Sequence, residues 1–328
     1  VRGQVAAGGT PEPLAAGTAT RILTGAMLPQ GADTVVRQED TRRDGAEVLV
    51  TVASPDGTHV RRRGEEVAAG TVVLDAGVRL TPADVAVAAA AGVGSLSVGL
   101  RPRVAILATG DEVRPPGADL AASEVNDAIS PMLAGAARDA GADPVLCGIV
   151  PDSPDALRHA LSGAAGSADM VVSCAGVSVG DHDHVREVLA AIGEIALWRV
   201  AMRPGKPLLV GRIGRVPFVG LPGNPVSSSV TFELFVRPAL LHMQGARDPQ
   251  RRRLRVRLGQ TMSKPPGLET FARARLVDSA GDLPVALSSG GQGSHMLTAL
   301  AAADVLLALP AEPASVPQGA VVEAIPLR

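Results

Sequence analysis

The sequence predicts a multidomain α/β and β protein. Its centre is an α/β domain with a mostly parallel sheet, flanked by a β-rich N-terminal domain and a small C-terminal β sandwich or barrel. The broad class rests on three observations. Between residues 102 and 245, short apolar runs (RVAILATG, PVLCGIV, DMVVSC) alternate with helix-length stretches opened by Ser-Pro or Asn-Pro, the pattern that sandwiches a parallel sheet between helices. Residues 1–70 and 246–328 carry clusters of β-formers broken by turn residues, with no long helical period. A length of 328 residues is that of two or three domains.

In chain order, RILTG, DTVVRQED, AEVLVTVA and THVRRRG read as strands of the first domain (1–70). Residues 71–101 change character. Thr81-Pro82 is a helix start, with Thr as N-cap and Pro at the first helical position, and Gly92 is its stop. In 102–245, Ser130-Pro131, Ser153-Pro154 and Asn224-Pro225 predict three further helix starts, Asp181 or Asp183 is expected to cap HVREVLAAIG, and Pro238 is expected to bend or end the last helix. In 246–328, RRLRVRLGQ, TFARARLV, LPVALSS, VLLALP and AVVEAIPL read as short strands, with HMLTALAAA a helical turn among them.

Composition narrows the function. A hydrophobic content of 46% supplies ample core, and no apolar run is long enough to span a membrane. A formal net charge of -2 gives no general field for nucleic acid, and 2% aromatics with no Tyr leave little for base stacking. Cys147 and Cys174 make neither a disulfide framework nor a zinc cluster, so a cytoplasmic location is expected. The cations are almost all Arg, with Lys206 and Lys264 the two lysines. Val1 is not Met, and the chain reads as a piece that begins mid-protein.

The chemistry concentrates between Asp169 and Ser229. There, three Gly/Pro-rich loops (AGVSVGD, RPGKP, LPGNP) follow apparent strands, and loops at strand ends are where α/β sheets bind ligands. AGVSVGD resembles a backbone anion nest with Ser178 as an added donor, although an Asp after it also serves as a plain N-cap. RPGKP sets Arg203 and Lys206 in a proline-stiffened turn, a cheap arrangement around an oxyanion. In ATGDEV, Asp111 and Glu112 end a buried strand, where carboxylates can hold Mg2+ or merely cap the next segment. His182 and His184 diverge in an extended chain and read as surface residues. No GxGxxG and no Walker lysine occurs, so the physical reading is an α/β site for an anionic, phosphorylated ligand.

Seven motifs in order, RILTGAMLPQGADTVVRQED, RRRGEEVAAG, TGDEV, AGVSVGDHDHV, MRPGKP, LPGNPVSS and GQGSHML, resemble the molybdopterin molybdenumtransferases, the MoeA and gephyrin E-domain family. The resemblance covers essentially the whole chain, and it implies that the central α/β domain is of the molybdopterin-binding type and that the C-terminal domain is β-barrel-like. It implies molybdenum insertion from molybdate into adenylated molybdopterin with release of AMP, aided by Mg2+. It also implies a homodimer, other molybdenum cofactor biosynthesis proteins as possible partners, and 71–101 as a remnant of an elongated linking and dimer domain. The implied catalytic residues are Thr24, Glu66, Glu112, Asp152 and Asp183, with Glu112 and Asp183 at the metal. The implied substrate-binding residues are Asp127, Ser178, Arg199, Arg203, Lys206, Pro207, Pro222, Pro225, Arg273 and Ser294.

The departures from the family pattern are specific. Glu66 replaces an Asp, Ala175 stands where the first loop has Gly, and Asp127-Ala128-Ile129 replaces Asp-Ser-Asn. A family Asp-Gly-Tyr segment with an active-site acid would precede Val1. That incomplete set keeps two alternatives in view: a non-catalytic molybdopterin-binding or scaffold protein, and a related nucleotide pyrophosphatase.

Overall fold

The computed structural model describes residues 1–176, 184–278 and 281–327. The chain divides into two compact units, Val1–Val73 and Leu74–Arg328.

The first unit has little core; Val5 and Pro29 are its buried residues. Its pairings are correspondingly short. Gln4–Val5 runs parallel to Arg21–Ile22, and β1 (Thr41–Asp44) forms an antiparallel hairpin with β2 (Glu47–Val50). The DTVVRQED segment is not a strand: it ends in a 3-10 turn, Gln38–Asp40. THVRRRG is a run of turns. These stretches are joined by single bonds, such as Val35 N–H to Thr58 O and Gly57 N–H to Asp33 O. With so few apolar side chains to bury, nothing repays the entropy of longer ladders.

The second unit opens with α1 (Pro82–Ala90). It starts as predicted, on a reciprocal capping box between Thr81 and Asp84. The α/β part then builds one six-stranded sheet from β3 (Arg103–Thr109), β4 (Asp143–Val150), β5 (Met170–Cys174), β6 (Glu194–Trp198), β7 (Leu209–Ile213) and β8 (Val216–Leu221). Their order is β6-β7-β8-β5-β3-β4. Strands β8, β5, β3 and β4 are mutually parallel, and β7 is antiparallel to both β8 and β6. Side chains alternate across the pleat, so each strand feeds two cores. Val104 and Ile106 pack under α2 (Ile129–Asp139) with Leu133, Phe232 and Val236. Ala105 and Leu107 pack with Leu157 and Leu161 of α3 (Pro154–Ala165) and Val188 and Leu189 of α4 (Val185–Ile192).

Two helix ends differ from the sequence reading. Helix α2 starts at Ile129, and Asp127 rather than Ser130 caps it: Oδ1 accepts the Ile129 and Ser130 N–H groups at 3.0 and 2.9 Å. Pro238 does not end the last helix. After α5 (Pro225–Thr231) the chain widens into a π-helical turn, Phe232–Val236, and runs on without a break into α6 (Arg237–Met243), so Pro238 follows a widened turn, a common site of helix bending, inside one continuous helix.

The C-terminal part is a closed five-strand barrel of β9 (Leu254–Leu258), β10 (Glu269–Val277), β11 (Val285–Ser288), β12 (Val305–Leu309) and β13 (Val321–Pro326). It is ordered β10-β11-β9-β13-β12, with β12 returning to β10. Its interior alternates large residues (Leu258, Leu307, Leu309) with alanines (Ala272, Ala274, Ala286, Ala324), as so narrow a barrel requires. A short helix, α7 (Leu297–Ala301), precedes β12. No helix of the described residues is long and apolar enough to cross a membrane.

Candidate active site

The chain passes from β3 to its neighbour β4 and then back to β5 on the other side of β3. That reversal is a switch point, where open α/β sheets bind ligands at the carboxyl ends of the strands. The loops Gly110–Glu112, Pro151–Asp152, Ala175–Gly176 and Pro222–Asn224 leave the carboxyl ends of β3, β4, β5 and β8. Because β6 points the same way as β8, the loop from Arg199 to Leu208 leaves this edge too.

At one end of the edge the groups are acidic. Asp111 and Glu112 are exposed, and Asp111 Oδ1 accepts the Asp152 N–H at 3.2 Å. Burial, the charge of Asp111 and that of Glu112 push the Asp152 carboxyl above the ordinary aspartate range; a hydrogen bond from the Asp111 backbone N–H and the charge of His184 oppose this. Beside them a groove of about 850 Å3 is lined by Gly110, Asp111, Arg114, Asp127, Ser130 and Pro151, among others. Arg114 braces its rim with an ion pair to Glu124 and bonds to the Asp111 and Val113 carbonyls. The Ser130 hydroxyl is buried there without a hydrogen-bond partner among the described residues.

At the other end the groups are basic. The Arg199–Leu208 loop is closed by Arg199 N–H to Leu208 O (2.9 Å) and Val200 N–H to Lys206 O (3.0 Å). Arg199, Arg203 and Lys206 are exposed on this one short loop, and Pro207 is half-buried. Gly205 has a φ of +108°, and a Cβ there would stand 2.5 Å from Thr231 Cγ2. Only glycine lets this turn lie on α5. Met202–Arg203 also pairs with Glu269–Thr270 of the barrel.

Helix α5 joins these parts. The Ser228 hydroxyl donates to the buried Pro222 carbonyl, and Val226 N–H donates to Ser294 O at 3.1 Å. Val226 and Val230 pack against Phe271, Leu306 and Ile325 of the barrel. Asn224 sits at the N-cap position, but its side chain makes no capping bond, contrary to the sequence reading; Pro225 follows it, half-buried. Under the Gly290–Ser294 loop lies Arg273, wholly buried. Its Nη2 donates to the Gly291 and Gly293 carbonyls, and its Nε has no partner among the described residues. Burial lowers its pKa. Gln292, which the sequence reading passed over, clamps the loop through the Arg273 backbone N–H and C=O, at 3.0 and 2.9 Å.

Of the residues implied by the sequence, the structure gathers Glu112, Asp127, Asp152, Arg199, Arg203, Lys206, Pro207, Pro222, Pro225, Arg273 and Ser294 within the second unit. Asp127 spends one carboxylate oxygen on the α2 cap. Thr24 and Glu66 are exposed turn residues of the first unit. Ser178, Asp181, His182 and Asp183 lie outside the described residues.

Known proteins match along the whole chain. Residues 1–92 match the MoeA N-terminal region (domain I and II), 105–242 a probable molybdopterin binding domain, and 255–327 the MoeA C-terminal region (domain IV). Molybdopterin molybdenumtransferase 2 of Mycobacterium tuberculosis is 39% identical over 308 residues, covering 92% of this chain and 75% of that protein. The chain belongs to the molybdopterin molybdenumtransferase family. The Haemophilus influenzae molybdopterin molybdenumtransferase is 31% identical over 318 residues, spanning 92% of this chain and 75% of its own length. A crystal structure of a molybdopterin biosynthesis moeA protein from Pyrococcus horikosii superposes with a TM-score of 0.79 at 30% identity. It covers 100% of this chain and 81% of that one. The mostly parallel sheet and the closed barrel are thus features of the family.

Proposed function

We propose that this protein inserts molybdenum from molybdate into adenylated molybdopterin and releases AMP, as a step of molybdenum cofactor biosynthesis. The observation that carries the reading is the polarity of the sheet edge. Carboxylates gather at the ends of β3 and β4. Three cations sit on the loop that follows β6, and the buried Arg273 of the barrel has an Nε–H without a partner among the described residues. Molybdate is a dianion, and Arg199, Arg203, Lys206, Arg273 and the Ser294 hydroxyl are its proposed holders. Ser178 joins them on the resemblance. The groove between Gly110 and Ser130 takes the pterin end, and Asp127, Pro222 and Pro225 shape its walls.

Among the described residues no three His, Cys, Asp or Glu side chains converge as a metal cluster. Mg2+, however, is commonly held by one or two carboxylates plus substrate phosphates, and the oxygen donors at this edge suit it. Glu112 and, on the resemblance, Asp183 would hold it, and it would neutralise charge developing on the phosphoanhydride. Asp152, with its raised proton affinity, is placed to accept a proton from the group that attacks the anhydride. The rest is positioning: fixed cations beside the dithiolene cost no reorganisation when charge moves. Thr24 and Glu66 are proposed as catalytic on the resemblance. Val85 and Val87 of α1 and Leu96, Val98 and Leu100 beyond it are exposed, an apolar surface that supports a homodimer. A cytoplasmic location fits the reaction, and other cofactor-biosynthesis proteins are the proposed partners.

The test follows AMP release and molybdenum content of the product, with adenylated molybdopterin, Mg2+ and increasing molybdate. Molybdenum-loaded product with matching AMP supports transfer. AMP without molybdenum in the product makes the protein a pyrophosphatase, and binding without turnover makes it a scaffold. Lys206→Ala is expected to raise the molybdate KM about tenfold, the loss of one charge-assisted contact, with an unchanged far-ultraviolet spectrum. An unchanged molybdate titration removes Lys206 from the site.

A further inference from the structure

Trp198 ends β6 directly before Arg199, and it is the single tryptophan of the chain. Successive residues of a strand point to opposite faces and do not touch. Here they do: the Arg199 guanidinium carbon lies 4.2 Å from the centroid of the Trp198 ring. The reason is the backbone. Arg199 has a φ of +68°, one of three described non-glycine residues in the left-handed region, and this turns its side chain back over the indole. The Arg186 guanidinium of α4 lies over the same ring at 4.3 Å. Trp198 itself is half-buried against the core beneath α3 and α4, so it is a fixed platform.

We propose that Trp198 is a positioning residue for molybdate capture: it holds the Arg199 guanidinium at the mouth of the Arg199–Leu208 loop. The proposal rests on the reading that Arg199 contacts molybdate. A guanidinium stacks flat on an aromatic face, whereas an ammonium is a freely rotating point charge. An Arg at position 199 therefore belongs with the platform under it. Arg186 on the same ring adds a second cation that fixes the ring without entering the loop.

A mutant cycle on the full-length protein, with adenylated molybdopterin present, tests this. Trp198→Leu and Arg199→Lys are each expected to raise the molybdate KM about fivefold, the worth of one partly desolvated cation–π contact. The KM for adenylated molybdopterin and kcat should stay within twofold. The double variant should be no worse than either single, because both remove the same alignment. Trp198→Phe, which keeps a weaker ring, should fall between wild type and Trp198→Leu and guards against a folding artefact. Molybdate should also shift the emission of the single tryptophan saturably in wild type but not in Arg199→Ala. Multiplying effects in the double variant, or equal losses for both substrates, overturn the positioning role. If Arg199→Ala leaves the molybdate KM unchanged, the underlying reading of Arg199 fails, and the proposal with it.

Discussion

Ala175 offers a sharp test of the backbone at the end of β5. It has a φ of +77°, and Gly176 follows at +72°. Two consecutive residues thus adopt the left-handed region, and the first of them carries a Cβ. The turn is held by the Ala175 N–H to Leu221 O bond at 3.0 Å. Position 176 is closed to anything but glycine, because a Cβ there would stand 2.4 Å from Val185 Cγ2. For a non-glycine residue the left-handed conformation costs roughly 1–2 kcal/mol. Ala175→Gly removes that cost but gives the unfolded chain back about 0.4–1 kcal/mol of freedom. The balance is a stabilisation of about 0.5–1 kcal/mol, or a Tm rise of about 1–3 °C. Urea denaturation followed by Trp198 emission reads it well, since Trp198 packs against the same core as Val171 and Val185. A neutral or lower midpoint would show that Ala175 is not strained and that the turn differs in solution. A second substitution checks the geometry independently. A Cβ built at Gly223 lies 3.0 Å from the Ala175 Cβ, so Gly223→Ala should destabilise wild type but be tolerated beside Ala175→Gly. The coupling expected is about 0.5–1 kcal/mol, and strictly additive effects would refute the contact.

Two further outcomes follow from the same edge of the sheet. Asp127→Ala leaves the Ile129 and Ser130 N–H groups without their cap and should cost about 1–2 kcal/mol in urea denaturation. Asp127→Asn keeps an acceptor oxygen and should recover most of it, so a loss of activity in Asp127→Asn at near-native stability would mark the second carboxylate oxygen as a substrate contact. Asp152 has a folded-state pKa above its unfolded value, so the folded protein holds this proton more tightly than the unfolded chain. Its contribution therefore favours the fold at low pH and is lost as pH rises from the unfolded pKa through the folded one. Asp152→Asn escapes that loss, so its stability relative to wild type should grow as pH rises from about 4 towards neutrality, and a pH-independent difference would contradict the raised pKa.

What the sequence shows of this molecule depends on how local each determinant is. The Thr81-Pro82 start with Asp84 three residues on is a self-contained device, and it forms as read. The alternation of apolar runs and helix starts between 102 and 245 translates into the sheet because burial on both faces demands continuous apolar strands. Ser130-Pro131 carries an equally good local signature, yet Asp127 opens the helix earlier by accepting the Ile129 and Ser130 N–H groups. Competition between two good caps is decided by the path of the preceding chain, which no spacing encodes. The strands read at DTVVRQED and THVRRRG fail for the opposite reason: their β-formers have no apolar layer to meet. The Trp198–Arg199 contact needs a left-handed arginine, a conformation that a Gly or Asn would have advertised and an Arg does not.

The composite character of the site was legible only through the resemblance, and helix α5 explains why. Its seven residues are mostly core by composition: Val226, Ser227, Ser228, Val230 and Thr231 are all buried. Yet its first turn donates Val226 N–H to the Ser294 carbonyl, Ser228 ties back to Pro222, and Thr231 forms the seat of Gly205. Its apolar flank meets Phe271 and Leu306 of the barrel. Three loops far apart in sequence thus meet one short rod, and the RPGKP turn also pairs with the barrel directly, through Met202–Arg203 and Glu269–Thr270. A barrel that adds no strand to the α/β sheet can in this way still fix where a buried guanidinium stands relative to that sheet's carboxyl edge. The side chains that achieve it are valines, serines and a threonine, which sequence patterns assign to packing alone.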